Sequence, residues 1–497
     1  MNAGTQILAA GALLAAGLGA SLLAGRLRVP GLLLVLGVGM AIGSDGIGLI
    51  EFDDYDLART VGVIALSLIL FEGGLSAGLP AIRSVLRPAL GLAFVGTLVT
   101  AAVVGLSASW LFDFTLLEGL LLGSILASTD GAAVFGVLRS ARLPKRVTRT
   151  LEGEAGLNDP IAVLLVLGFI EWIEQPGYGI ADMGLLFVEE LGIGLVVGVL
   201  GGMVALRALR AVRLATEGLY PVASMAVAAI TYGAADALGG SGFLAVYLVG
   251  LALGGAPFPG QRDVIAFHQG IAWVAQVAMF LTLGLLVFPS ELGAVAIEGT
   301  VLTVVLLVAA RPLATLVATA FAGFTGRERV VLGWAGLRGA VPVVLATFPV
   351  LAGVGQAETF FDIVFFAVLV STVLQGSTIE PLAHRLGVIA PRRTQERRAR
   401  LTGGLPVTSV RPWTDDDGDP SYPKQVRDTP VIEHLLTRRD RPGALVRLQD
   451  GRLAATGALM MVGSRQAVQE AARRRLRSAV DDAEVAWWRE VIGACAL

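Results

Sequence analysis

The sequence predicts an all-α polytopic membrane protein of about thirteen transmembrane helices, with inverted repeats and two broken crossing helices, followed by a small α/β cytoplasmic tail. Three observations carry that prediction. First, 55% hydrophobic and 16% charged residues with a mean hydropathy of +0.74 do not describe a soluble surface, for which about 25% charged residues is ordinary. Second, apolar runs able to cross about 30 Å of hydrocarbon as helices follow one another up to residue 390. Third, basic residues alternate between successive loops, as they do when positive charge is retained on the cytoplasmic side.

Taken in order, the apolar runs lie near 5–25, 29–50, 60–80, 88–111, 119–138, 150–170, 185–206, 218–235, 242–258, 269–288, 299–323, 331–352 and 363–383. No Lys or Arg precedes the first run, unlike the charged start of a secretory leader, so it is expected as a retained span. The odd-numbered loops hold fifteen Lys and Arg, from Arg26 to Arg329, whereas the even-numbered loops hold Arg59 alone and are rich in Asp and Glu. The expected orientation is therefore N-terminus outside and C-terminus in the cytoplasm, in a plasma (inner) membrane of bacterial type. A miscounted span would have scrambled the alternation in every later loop.

The chain is expected to divide into a transmembrane domain at 1–390, a linker at 391–420 and a cytoplasmic tail at 421–497. Within the tail, Ala444–Leu448 and Ala458–Val462 read as strands and Arg465–Arg477 as an amphipathic helix. The tail is expected to be regulatory, with a small ligand as its effector. A net charge of −2 gives no reason to expect a nucleic-acid partner, and the lone Cys495 excludes an internal disulfide or a thiolate metal cluster. No cofactor is expected, and membrane lipid is the obvious surrounding.

Ionisable residues within spans are the informative ones, since each costs roughly 2.5–3.5 kcal/mol on insertion scales unless paired or hydrated. They are Glu72 in span 3, Asp130 in span 5, Glu154 and Asp159 in span 6, Arg311 in span 11 and Arg338 in span 12. Glu154 and Asn158 are four apart and share a helix face, whereas Asp159 is turned about 140° from Glu154. One acid can thus be held in a structural pair while the other stays free to react. Glu154 is read as the buried partner of Arg338, and Arg311-Pro312 as either a neutraliser of core charge or a kink. The row Gly194, Gly198, Gly202 fits either a dimer contact or close packing within the chain.

Span 5 carries Ser128-Thr129-Asp130-Gly131 and span 12 carries Gly336-Leu337-Arg338-Gly339-Ala340-Val341-Pro342, both interruptions at depth. They lie seven spans apart, and an odd offset makes the two broken helices antiparallel, as an inverted repeat of spans 1–6 in spans 8–13 would. Paired broken helices point to a transporter's midplane site. The half-helix ends would be neutralised by Asp130 at a positive end or Arg338 at a negative one.

These motifs, with Phe71-Glu72-Gly73-Gly74-Leu75, the continuation Ala132-Ala133-Val134-Phe135 and the stretch Glu154 to Pro160, resemble the sodium/proton exchanger-like cation–proton antiporters, in the NhaP branch with an Asn-Asp pair. The resemblance covers roughly 5–390, and the wording looks closest to potassium–proton antiporters of the cell-volume-regulation type. It implies a homodimer in which each protomer has a dimerisation domain and a mobile six-helix core. It further implies that Asp159 binds either the cation (K+ favoured, Na+ as the alternative) or H+, that Asn158 braces the unwound span, and that Thr129 offers a carbonyl with Glu72 nearby. Glu154 and Arg338 match a buried ion pair. Ala155 departs from the pattern, because a serine usually contributes an oxygen there.

Desolvation favours the neutral form of a carboxylic acid, so a single buried acid can serve proton and cation in turn. Exchange through one carboxylate beside a neutral Asn is expected to be electroneutral. A cation channel is the rival, and an intramembrane hydrolase a more distant one: Gly74-Leu75-Ser76-Ala77-Gly78 matches the nucleophile-elbow pattern, but His268 is placed in a cytoplasmic loop, away from it.

Overall fold

The computed structural model describes residues 14–20, 31–131, 143–212 and 218–389 continuously, with isolated positions elsewhere and short strands beyond residue 431. The chain separates into two compact units, Met1–Ala390 and Pro391–Leu497. The run at 5–25 is described only in part, helical at 14–20, while 132–142, the linker 391–420 and nearly all of the helix expected at Arg465–Arg477 lie outside the described residues.

The first unit is all-helical. Its described helices are α1 (Gly31–Ile42), α2 (Tyr55–Ala77), the short α3 (Leu79–Arg83), α4 (Leu86–Leu111), α5 (Leu116–Ala127), α6 (Lys145–Glu174) and α7 (Ile180–Ala211). They continue as α8 (Leu219–Ala237), α9 (Gly242–Gly254), α10 (Gln261–Leu285), α11 (Ala296–Ala318), α12 (Gly326–Trp334), α13 (Ala340–Ala352) and α14 (Ala357–Leu386). Among the described residues, seven helices are long and apolar enough to cross a membrane: α2, α4, α6, α7, α10, α11 and α14. This is a multi-pass membrane protein with several apolar spans.

The other apolar helices are shorter for local reasons. Helices α1, α5, α9 and α13 have 12 or 13 residues, about 20 Å at 1.5 Å per residue. The expected span 29–50 stops being helical at Ile42, where Gly46, Ile47 and Gly48 turn back onto the carbonyls of Gly43 and Ala41. The expected spans 119–138 and 331–352 are both interrupted, at Ser128–Asp130 and at Ala335–Gly339.

Helix starts follow capping chemistry. Thr115 and Glu118 form a reciprocal capping box at α5, and Thr325 and Glu328 do so at α12. Asp54 accepts from Leu57 N at 2.9 Å to open α2. Two π-helical turns, Leu92–Gly96 in α4 and Val305–Ala310 in α11, sit in spans seven apart, the offset that also relates the two interruptions.

Small residues allow backbones to meet. The Gly194, Gly198 and Gly202 row of α7 faces Ser241, which caps α9, and Ala245 and Ala252 within it, so it packs within the chain. Much of the rest of α7, including Leu195, Val196, Val199 and Leu200, presents exposed apolar surface.

In the second unit the described strands are β1 (Ile432–Leu435), β2 (Leu445–Arg447), β3 (Leu453–Ala455) and β4 (Leu459–Gly463), forming an antiparallel sheet in the order β1-β4-β3-β2. Strands β2 and β4 fall within the two expected segments, apart from a one-residue extension of β4. The short β1 and β3 carry too brief a periodicity to be read from sequence.

Candidate functional site

Helix α6 carries Glu154, Asn158 and Asp159, each at most 2% exposed, and runs unbroken through Pro160. Pro160 cannot donate to the carbonyl of Gly156 one turn earlier, yet α6 stays helical there.

Glu154 Oε1 accepts from Arg311 Nη1 at 2.7 Å, with both side chains 2% exposed. This corrects the expected pairing of Glu154 with Arg338. Arg311 directly follows the π turn of α11, and its guanidinium lies over Gly336, where any β-carbon would collide with it. Arg311 thereby neutralises a core charge, one of the two roles read for it.

Arg338 has a different task. Its Nη1 donates to the carbonyls of Ala127 at 2.9 Å and Ser128 at 2.5 Å, at the C-terminal end of α5. Helix ends of that polarity carry partial negative charge, and the guanidinium satisfies carbonyls that the break leaves without helical donors. At the other interruption, Asp130 Oδ2 accepts from Ala340 N at 3.3 Å, at the N-terminal end of α13. The two interruptions also join by backbone, Asp130 N donating to Leu337 O at 3.0 Å. Gly339 is required for this approach, because a β-carbon there would overlap the Asp130 carboxylate.

Asp159 faces the crossing from α6. Ser128 Oγ donates to its Oδ1 at 2.7 Å, and among the described residues Asp159 has no guanidinium within ion-pair distance. Beside it, Asn158 Nδ2 donates to Thr129 Oγ1, while Asn158 Oδ1 is buried without a protein partner. The structure therefore brings Asp130, Thr129, Asn158, Asp159 and Arg338 together at one crossing. Glu72 is half-buried on α2, where its Oε1 accepts from Ser76 Oγ at 2.6 Å, and no hydrogen bond joins it to Thr129, Asn158 or Asp159.

Counted at formal charges among the described residues, Glu154 cancels Arg311, and Arg338 and Asp130 cancel in sum, so an ionised Asp159 leaves one negative charge over in this cluster. Arg338 lies within electrostatic range of Arg311, Glu154 and Asp159. Residues whose role the sequence left open also belong here: Ser128, Arg311, and Thr372 and Gln375 of α14, which bond to the carbonyls of Arg338 and Trp334. One available signal was Pro342, which leaves Arg338 O without its helical donor.

A second correction concerns His268. It lies inside α10, 1% exposed, with Nε2 and Ser224 Oγ 2.8 Å apart and its ring edge-on to Phe71. Ser76 stands in the last turn of α2, with its hydroxyl given to Glu72; it is no exposed nucleophile on a strand-to-helix turn.

A family model described as sodium/hydrogen exchanger, transmembrane, matches residues 11–385. A K(+)/H(+) antiporter NhaP2 of Shewanella sp. (strain ANA-3) is 41% identical over 369 residues, covering 74% of this chain and 64% of the relative. A K(+)/H(+) antiporter NhaP of Alkalimonas amylolytica is 39% identical over 432 residues, 86% of this chain and 75% of that one. The matched region thus spans less than two thirds of the Shewanella relative's length. The solved sodium proton antiporter MjNhaP1 of Methanocaldococcus jannaschii at pH 8 is similar in fold, with a TM-score of 0.68, 23% identity, and coverage of 78% of this chain and 99% of that one. The matched model covers most of the chain and every residue of the crossing: the chain belongs to the sodium/hydrogen exchanger family, a family of transporters and not of enzymes.

Proposed function

We propose that this protein is a secondary antiporter that exchanges a monovalent cation, potassium in the first instance, for H+, one for one and by alternating access. The observation that carries this reading is the charge balance around Asp159: among the described residues the other buried formal charges of the cluster sum to zero, and the total reaches zero when Asp159 holds a proton or a monovalent cation. A net charge is expensive in low-dielectric surroundings, so the core moves across the barrier only when that acid is occupied. Two guests competing for one carboxylate make the exchange obligatory.

In this reading Asp159 is the exchanging acid, with Thr129 and the free Asn158 Oδ1 as neutral oxygens beside it. Ala155 supplies no oxygen. Asp130 and Arg338 neutralise the half-helix ends. Glu72, which accepts from Ser76 on α2, is read as lying near the site. Alternating loop charge favours thirteen spans with the N-terminus outside, in a plasma membrane. The seven-span offset of breaks and π turns supports inverted repeats, and the resemblance supports a homodimer. Potassium is preferred over sodium because the Shewanella and Alkalimonas relatives are named for potassium–proton antiport.

The test is purified full-length protein in proteoliposomes with an entrapped pH dye, exposed separately to potassium, sodium, rubidium and lithium. A pH change driven by one of these without net current supports the reading, and Asp159→Asn removes it. Cation flux that leaves pH untouched, or exchange surviving in Asp159→Asn, ends it.

A further inference from the structure

The interruption between α12 and α13 leaves a defined set of backbone acceptors. In an unbroken helix Trp334 O would accept from residue 338, Gly336 O from 340, Leu337 O from 341 and Arg338 O from 342. Ala340 N is instead given to Asp130, and Pro342 has no N–H to give. Unpartnered carbonyls at this depth cost free energy comparable to a lost hydrogen bond. The structure fills them from outside the helix. Asp130 N serves Leu337 O, Gln375 Nε2 serves Trp334 O at 2.7 Å and Gly336 O at 3.4 Å, and Thr372 Oγ1 serves Arg338 O.

Thr372 and Gln375 are three apart on α14, hence on one face, and are 3% and 0% exposed. Their neighbours Phe365 and Val368 are apolar and buried. Two fully buried polar side chains aimed at the backbone of the break are a poor choice for packing alone, since burying polar groups gives little net gain over an apolar core. From the clamped Arg338 the connection continues through its guanidinium to Ser128 O, and Ser128 Oγ holds Asp159.

We propose that Thr372 and Gln375 are positioning residues for the exchange reaction: they fix the Arg338 backbone so that its guanidinium, Ser128 and Asp159 keep the geometry in which the acid trades proton for cation. This rests on the antiport reading above. A clamp that only holds the fold would change the amount of folded protein. A positioning clamp changes how tightly the site takes its guests.

The experiment compares full-length wild type with T372V, Q375M and T372S in proteoliposomes, measuring initial exchange rate against concentration of the cation the wild type carries best, and against pH. T372V and Q375M should raise the half-saturating cation concentration about threefold to tenfold and displace the pH profile. Tm should fall modestly in both variants, because each leaves a buried carbonyl without its donor, and T372S, which keeps the hydroxyl, should restore wild-type behaviour. Unchanged half-saturation and pH profile in T372V and Q375M overturns the proposal. So does a defect confined to yield or Tm, including failure of both variants to fold. A wild type that exchanges no cation for protons would instead sink the antiport reading itself, which the same assay shows before any variant is compared.

Discussion

Two carboxylates five residues apart on α6 are equally buried and differently kept. Glu154 is locked to Arg311 at 2.7 Å in a site where both partners are 2% exposed. Asp159, also 2% exposed, is given only the hydroxyl of Ser128 among the described residues. The helix turns about 140° between them, which aims one acid at α11 and the other at the crossing of the two breaks. A carboxylate already holding a guanidinium has little to gain from a proton or a cation. One holding a hydroxyl has a charge still to be neutralised. The difference separates an acid that holds the core together from one that can do work in it.

The comparison breaks most readily at Arg311. Arg311→Met leaves Glu154 buried without its counter-charge, and removal of one partner of a buried pair costs about 3–5 kcal/mol. Thermal denaturation of the purified protein in detergent should show a larger drop in Tm for this change than for Gly339→Ala or Asp159→Asn. The double variant Glu154→Leu with Arg311→Met removes both charges and should recover much of that loss. If Arg311→Met melts like wild type while Glu154→Gln stops exchange, the roles assigned to the two acids are reversed.

Arg338→Met comes next. It forfeits hydrogen bonds from a charged donor to the carbonyls of Ala127 and Ser128, worth roughly 1.5–3 kcal/mol each in such cases. It also deprives the Asp159 side of the core of its nearby positive charge, so stability and exchange should both fall. A loss of stability with the cation dependence of exchange intact would confine Arg338 to the helix ends.

The sequence made the all-helical, multi-pass architecture legible because lipid penalises charge so heavily that apolar spans stand out from the loops between them. The breaks were legible too, since Gly336, Gly339 and Pro342 in an apolar run have few other uses. The partners were not. Glu154 and Arg311 are 157 residues apart, and Arg338 and Ala127 are 211 apart. With two arginines and one glutamate at similar depth, spacing along the chain cannot choose the pair. Only the packing of α11 against the break, with the guanidinium over Gly336, decides it. Likewise Thr372 and Gln375 look like ordinary polar residues in a long helix until the donor missing at Pro342 is traced to its replacement.

Gly339→Ala tests how closely the two breaks must meet. The added β-carbon falls on the Asp130 carboxylate, and relieving such overlap typically costs about 1–3 kcal/mol. Asp130 would have to leave Ala340 N, so a lower Tm should accompany slower exchange at saturating cation. Wild-type Tm and rate in this variant would show that the crossing has slack and that Asp130 is not held against α13.

The smallest expected change in stability is the most informative. Asp159→Asn keeps an oxygen for Ser128 Oγ and removes a buried charge that no guanidinium among the described residues compensates. The structural loss should therefore not exceed about 1 kcal/mol, the net worth of one hydrogen bond, and relief from burying an unpaired charge can turn it into a gain. Exchange, by contrast, should disappear, because an amide neither takes up the proton nor offers the cation a charge. Loss of activity with Tm held or raised is the signature of a residue kept for function at the expense of stability. A drop in Tm on the scale of Arg311→Met would place Asp159 with Glu154 among the acids that hold the core, and the distinction between them would have no physical basis.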